Sequence, residues 1–153
     1  MEFLVVSDSH GNFDRFNNVI MSHPNINTIF FLGDGMREFE DIYDLYPQKT
    51  FYSVSGNCDL MSMKPSWNTV VTSQGKILYT HGDAFGVKSG LSRLVDSAQK
   101  AGARLALFGH THIPINEERE GVFLFNPGSL GQSDRYGICR LDGNGFFAEH
   151  KTL

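Results

Sequence analysis

Seven residues of this chain have side chains that could hold a metal and recur in a pattern: Asp8, His10, Asp34, Asn57, His81, His110 and His112. Carboxylate, carboxamide and imidazole donors together suit a borderline divalent ion such as Mn, Fe, Ni or Zn. They suit Ca²⁺ poorly, because that ion takes oxygen throughout. Asp8/His10 and His110/His112 are spaced by two. In an extended segment such pairs point to one side, about 6–7 Å apart at Cα, so each pair could approach one metal centre from one direction. A single Asp-x-His or His-x-His arises often by chance. Asp34 and Asn57, taken alone, read equally well as polar turn residues. That simpler reading does not account for four of the six histidines joining the same pattern.

The elements that must carry these side chains follow from hydrophobic patterning. Phe3 to Val6, Thr28 to Leu32, Thr50 to Val54 and Arg104 to Phe108 are short apolar runs of the kind that buried strands show. Thr69 to Thr72 and Lys76 to Thr80 flank Ser73-Gln74-Gly75 and read as a hairpin. Ile113 to Glu118, Val122 to Asn126, Tyr136 to Leu141 and Phe146 to Lys151 are further β segments. Helical spacing marks Asn12 to Met21, Arg37 to Leu45 and Ser89 to Ala101, the last stopped by Gly102. Each candidate ligand thus falls just past a strand: Asp8 and His10 after the first, Asp34 after the second, Asn57 after the third. His81 follows the hairpin, and His110 and His112 follow the Arg104 segment. Ligands of open α/β folds gather beyond the carboxyl ends of strands. The order, βαβαβ followed by hairpins, one helix and a β-rich tail, predicts a layered α/β sandwich of two sheets with helices outside.

The chain has 153 residues, 41% hydrophobic and 20% charged, which predicts one globular domain over residues 1–153. A net charge of −4 argues against a sequence-independent nucleic-acid binder, which needs a basic face. Cys58 and Cys139 stand far apart with no CxxC spacing, so neither a disulfide framework nor a thiolate zinc site is expected. The apolar N-terminal run is too short for a signal peptide or membrane span, and a cytoplasmic location with no membrane contact is expected.

Asp8-Ser9-His10, Gly33-Asp34, Gly56-Asn57-Cys58-Asp59, His81-Gly82, Gly109-His110-Thr111-His112 and Asn126-Pro127-Gly128-Ser129 occur in that order over most of the chain. This set resembles the calcineurin-like metallophosphoesterases, in particular their small single-domain bacterial and archaeal phosphodiesterase branch. The resemblance implies a four-layer α/β/β/α sandwich and two divalent transition-metal ions, Mn first, with Ni, Fe or Zn as alternatives. It implies that Asp8, His10 and His112 hold one ion and that Asn57, His81 and His110 hold the other, with Asp34 between them. The implied chemistry is in-line attack on phosphorus by a metal-activated hydroxide, the ions lying about 3.5–4 Å apart. Asp34, Asn57, Cys58 and His81 are then the candidates nearest the chemistry, and Asn57 and Arg135 the candidate substrate contacts.

Two positions depart from the family pattern. Arg37 stands where many relatives carry aspartate, and Cys58 stands where larger relatives place a histidine that assists the leaving group. A thiol is a weak donor and a poor replacement for imidazole. It reads either as a chemical group or as a small buried filler. Arg135 could grip a phosphate in bidentate fashion or simply pair with Asp134. Lys88 lies in a glycine-punctuated stretch that could face substrate. His23 and His150 are expected at the surface, and Trp67 and Phe30-Phe31 in a core or interface. The function expected is hydrolysis of phosphodiesters in a small substrate. The alternatives are a phosphomonoesterase or a non-catalytic interaction scaffold of the same fold. A homo-oligomer is compatible with all three.

Overall fold

The computed structural model describes residues 1–153. Its strands are β1 (Glu2–Val6), β2 (Thr28–Phe31), β3 (Thr50–Ser53), β4 (Trp67–Thr72), β5 (Gly75–Thr80), β6 (Ala103–Leu107), β7 (Ile115–Arg119), β8 (Val122–Asn126), β9 (Arg135–Asp142) and β10 (Gly145–Thr152). The helices are α1 (Phe13–Ser22), α2 (Met36–Leu45), α3 (Ser92–Ala101) and a single turn, α4 (Leu130–Ser133). One sheet runs β10-β9-β1-β2-β3 and the other β4-β5-β6-β8-β7.

The apolar runs become strands buried on both faces, and the period of two decides which face each residue serves. Phe3 and Val5 of β1 point between the sheets, where they join Phe30, Ile77, Tyr79, Leu105, Leu107 and Phe125. Leu4 and Val6 point outward and are covered by Phe16, Val19 and Ile20 of α1 and by Phe39 and Ile42 of α2. On the far side, Leu78 and Ala106 are covered by Leu94, Val95 and Ala98 of α3. The layers are therefore α/β/β/α, the expected sandwich. Each fully buried Phe or Leu in them contributes roughly 1.5–3 kcal/mol of transfer free energy.

Strand direction sets up the site. β1, β2 and β3 are parallel, as are β5, β6 and β8. Their carboxyl ends lie along one edge of each sheet, and the loops from the two edges meet there. The antiparallel strands β4, β7, β9 and β10 carry none of the seven candidate ligands.

Several elements differ from the sequence expectation. α3 begins at Ser92 rather than Ser89, because Asp83–Phe85 forms a 3-10 turn and Gly90 takes a left-handed φ of 143°. β7 begins at Ile115, after Pro114, which has no N–H for a ladder bond. α4 had no hydrophobic period to reveal it; Ser129 caps it by accepting from the Gln132 N–H at 3.0 Å. His23 and His150 are not free surface residues. His23 lies 2.9 Å from the Tyr136 hydroxyl, and His150 stacks on Phe125 while donating to the Asn126 carbonyl at 2.8 Å. Trp67 is half exposed rather than core. No helix is long and apolar enough to cross a membrane.

Candidate metal centre

Five of the seven candidate ligands, Asp8, His10, Asp34, His110 and His112, have φ between 45° and 67°. The expectation that the spaced pairs lie in extended backbone is therefore wrong. The chain turns left-handed at these residues, at about 1–2 kcal/mol for each side chain that carries a Cβ. The consequence is visible in the second pair. His110 and His112 do not aim at one point: His110 Nδ1 is 3.1 Å from His81 Nε2, while His112 Nε2 is 3.1 Å from Asp8 Oδ1.

Two sets of donors result. In one, His112 Nε2 lies 3.4 Å from His10 Nε2, and His10 Nε2 lies 3.7 Å from Asp8 Oδ1. In the other, His81 Nε2 is met by Asn57 Oδ1 at 3.0 Å, His110 Nδ1 at 3.1 Å and Asp34 Oδ2 at 3.4 Å. Asp8 Oδ1, 4.0 Å from His81 Nε2, is common to both sets. Asp34, to which the resemblance gives the central place, turns one oxygen to His81 at 3.4 Å, while the other accepts the Cys58 N–H at 2.8 Å.

The surrounding hydrogen bonds fix which atoms face inward. His81 Nδ1 donates to the Leu32 carbonyl at 2.8 Å, and His112 Nδ1 donates to Gln132 Oε1 at 2.6 Å, so both rings turn Nε2 to the centre. Ser7 Oγ and the His110 N–H donate to Asp8 Oδ2 at 2.5 and 3.2 Å, which leaves Oδ1 to face the imidazoles of the centre. Three acceptors converge on His81 Nε2, and one proton there cannot serve all three. A cation can. The donor set, mixed nitrogen and oxygen with two fully buried members, Asp8 and His81, therefore fits divalent transition-metal ions.

Electrostatics agree with the geometry. Burial opposes the charge on Asp34, but hydrogen bonding and attraction from His81, with the Cys58 N–H, outweigh it and hold the carboxyl well below the usual range. Burial likewise opposes charging His81, yet Asp34 and Asp8 raise its pKa. His110 is lowered, by burial first and then by His81 and Lys88. The Cys58 thiol is pushed up by burial and by Asp34, so it stays protonated near neutral pH.

The loops are held by groups that the sequence reading left without a role. Asp59 accepts four backbone N–H bonds, from Gly56, Asp34, Gly35 and Met36 at 2.8–3.0 Å, and so ties the β2 loop to the β3 loop. Gly33 and Gly56 allow this approach: a Cβ on Gly33 would stand 2.4 Å from the Gly56 nitrogen. Glu38, buried in α2, accepts from Ser9 Oγ and the Gly11 N–H at 2.6 Å and braces the first loop. Asn126 donates to the Gly109 carbonyl and Thr111 Oγ1, holding the His110/His112 loop. Ser129 Oγ donates to the Asp8 carbonyl at 3.0 Å. Glu38 sits in the first turn of α2 and Asp59 two residues after Asn57, positions that gave no signal of a bracing role; nor did Gln132.

Cys58 is exposed, so it is not a buried filler. Arg135 is exposed and joins neither donor set; its expected partner Asp134 pairs instead with Arg15 at 2.8 Å. The stem of Arg135 packs over Gly128 of the Asn126–Ser129 segment.

Residues 1–144 match the calcineurin-like phosphoesterase superfamily domain. The chain is 29% identical over 151 residues to the probable metallophosphoesterase YsnB of Bacillus subtilis, covering 94% of this chain and 86% of that protein. It is 31% identical over 103 residues to the phosphodiesterase YfcE of Escherichia coli, covering 59% of this chain and 52% of YfcE. The crystal structure of a predicted phosphoesterase from Streptococcus pneumoniae superposes with a TM-score of 0.87 at 25% identity, covering 99% of this chain and 88% of that one. Vps29 of Entamoeba histolytica complexed with Zn²⁺ shares the fold at a TM-score of 0.78 and 17% identity, over 99% and 98% of the two chains.

Proposed function

Since this chain belongs to the calcineurin-like phosphoesterase superfamily, we propose that it hydrolyses phosphodiester bonds at a site for two divalent transition-metal ions, Mn²⁺ first among them. The observation that carries this reading is the pair of donor sets that meet at Asp8 Oδ1. His10, His112 and Asp8 would hold one ion, and Asn57, His81, His110 and Asp34 the other. When bound, such ions supply Lewis acidity, withdrawing charge from phosphoryl oxygens and lowering the pKa of water toward about 7.

The chain's own groups prepare that chemistry. The carbonyl of Leu32 and the amide of Gln132 fix the tautomers of His81 and His112, so imidazole lone pairs face inward. Asp34 remains ionised because His81 and the Cys58 N–H stabilise its charge against burial. Asn57 is exposed beside His81 and offers an Nδ2–H toward a phosphoryl oxygen. Cys58 remains a thiol and stands at the rim, so it serves neither as thiolate nucleophile nor as an efficient acid. A leaving oxygen then departs with little proton assistance. That favours activated diesters over alkyl monoesters, since general-acid help is typically worth 10²–10⁴-fold.

The test is metal-stripped protein resupplied with Mn²⁺, Ni²⁺ or Zn²⁺ and assayed on matched aryl mono- and diesters of graded leaving-group pKa. A steep dependence on leaving-group pKa and a preference for diesters are expected. A monoester preference would make the chain a phosphomonoesterase, and no turnover with two ions bound would make it a scaffold.

A further inference from the structure

A groove of about 500 Å³ opens beside the second donor set, lined by Lys88, Leu91, Thr111, Ile113, Ile115 and Arg119 among others. Thr111 lies between His110 and His112, so the groove begins where the ligand loop ends. Its other wall is the Asp83–Gly90 segment, which is clamped to the strand end that carries His81. The Phe85 and Val87 N–H groups both donate to the Gly82 carbonyl, at 3.0 and 3.4 Å. Val87 is buried and packs so closely on Gly82 that a Cβ there would stand 2.7 Å from Val87 Cγ2. This wall is therefore fixed relative to the donors, not a loose flap.

The lining is apolar along its length and cationic at its borders. Leu91 is buried and forms part of the wall, while Ile113, 62% exposed, lines the same groove beside Lys88 and Thr111 and is free to meet a ligand. Arg119 is engaged by Glu117 at 2.8 Å, whereas the exposed Lys88 lines the groove and forms no ion pair. Asp83 is exposed on the same segment, so Lys88 is not the only charge there. A second groove, of about 320 Å³, lies beside Cys58; Arg37, Glu40 and Asp59 line it, so its charged lining is on balance acidic and less suited to an anionic ester.

The geometry points to the Lys88–Ile113 groove as a subsite for one apolar, aryl-sized arm of a phosphodiester, with Lys88 facing the ester's negative charge. The inference rests on the phosphodiesterase reading above and adds a substrate class to it: diesters with at least one flat or branched apolar substituent. Ile113 and Leu91 would cover the arm, and Thr111 would mark its boundary with the phosphoryl group.

The experiment is NMR titration of isotope-labelled, Zn²⁺-supplied protein with diphenyl phosphate, an unactivated diester, and with dimethyl phosphate as the arm-less control. Diphenyl phosphate should shift the methyl resonances of Ile113 and Leu91, and dimethyl phosphate should leave them in place. Ile113→Asp, at an exposed position where folding is not at stake, should weaken diphenyl phosphate binding about tenfold. Lys88→Ala should weaken both diesters, and Val71→Asp on the exposed face of β4 should change neither. Shifts confined to Leu60 and Met61 beside Cys58, or an unchanged affinity in Ile113→Asp, would overturn the subsite. Groove shifts without turnover of any diester would uphold the subsite and defeat the phosphodiesterase reading. Diester turnover with an unperturbed groove would do the reverse.

Discussion

The two edges of the sheets solve the same backbone problem with different residues. At the edge away from the donors, left-handed turns fall mostly on glycine: Gly75 at the start of β5, Gly102 before β6, Gly121 before β8 and Gly145 at the start of β10. Glu120 is the one residue with a Cβ among them. At the donor edge glycine turns left-handed too, at Gly11, Gly33, Gly35, Gly82 and Gly128, but five further left-handed positions are taken by Asp8, His10, Asp34, His110 and His112. One edge is built for conformational ease and the other for the direction in which a donor atom points. The donor edge keeps its shape because Asp59, Glu38, Asn126 and Ser129 hold its loops through hydrogen bonds.

The sharpest way to break this contrast is to remove what the donor edge is built to hold. Stripping the metal should take phosphoesterase activity to background, and reconstitution should approach two ions per chain by elemental analysis. Uptake should weaken as pH falls, because the raised pKa of His81 keeps a proton where the cation must sit, and binding displaces it. Titration calorimetry at several pH values would register the released proton. Pronounced activity in verified metal-free protein would make the strained edge purposeless.

A smaller effect is expected from the brace behind the donors. Asp59→Asn replaces a carboxylate that accepts four N–H bonds with an amide that has one acceptor oxygen. Metal affinity should fall by about 10–100-fold, as for other groups that orient ligands without touching the ion. Arg135→Ala, outside both donor sets, should change kcat/KM little.

The smallest effects address the contrast itself. His10→Gly should raise the stability of the metal-free chain by about 0.5–1 kcal/mol, since φ 45° suits glycine, while weakening metal binding. Gly102→Ala should lose about 1 kcal/mol from the same cause with opposite sign, and leave activity intact; no atom lies near enough for a clash. Each kcal/mol corresponds to a shift of about 2–4 °C in Tm for a chain of this size. Equal signs for the two variants would end the comparison.

What the sequence made legible follows the same division. Strand interiors declare themselves, because runs such as Phe3–Val6 and Arg104–Phe108 admit one burial pattern, and the layers could be read from them. The donor types were visible too, because Asp and His at successive strand ends have few other reasons to recur. Their backbone was not visible. An i, i+2 spacing predicts a shared direction only in extended chain, and the left-handed turns at His110 and His112 send the two rings to different centres. Gln132 was hidden for a related reason: a one-turn helix leaves no period, and its contact with His112 spans 20 residues.

The placement of β9 bears on how the chain reaches this state during synthesis. β9 pairs with β1, so one edge of the first apolar strand stays open until residues some 130 positions later have been made. The same late stretch supplies Ser129 and Gln132, which secure Asp8 and His112. A nascent chain with β1 to β3 exposed therefore carries an unpaired edge and an incomplete donor cluster together, and both are closed by the arrival of one segment. Closure of the β1 edge and completion of the donor cluster thus both wait for residues 129–142, and a nascent chain that lacks them has neither.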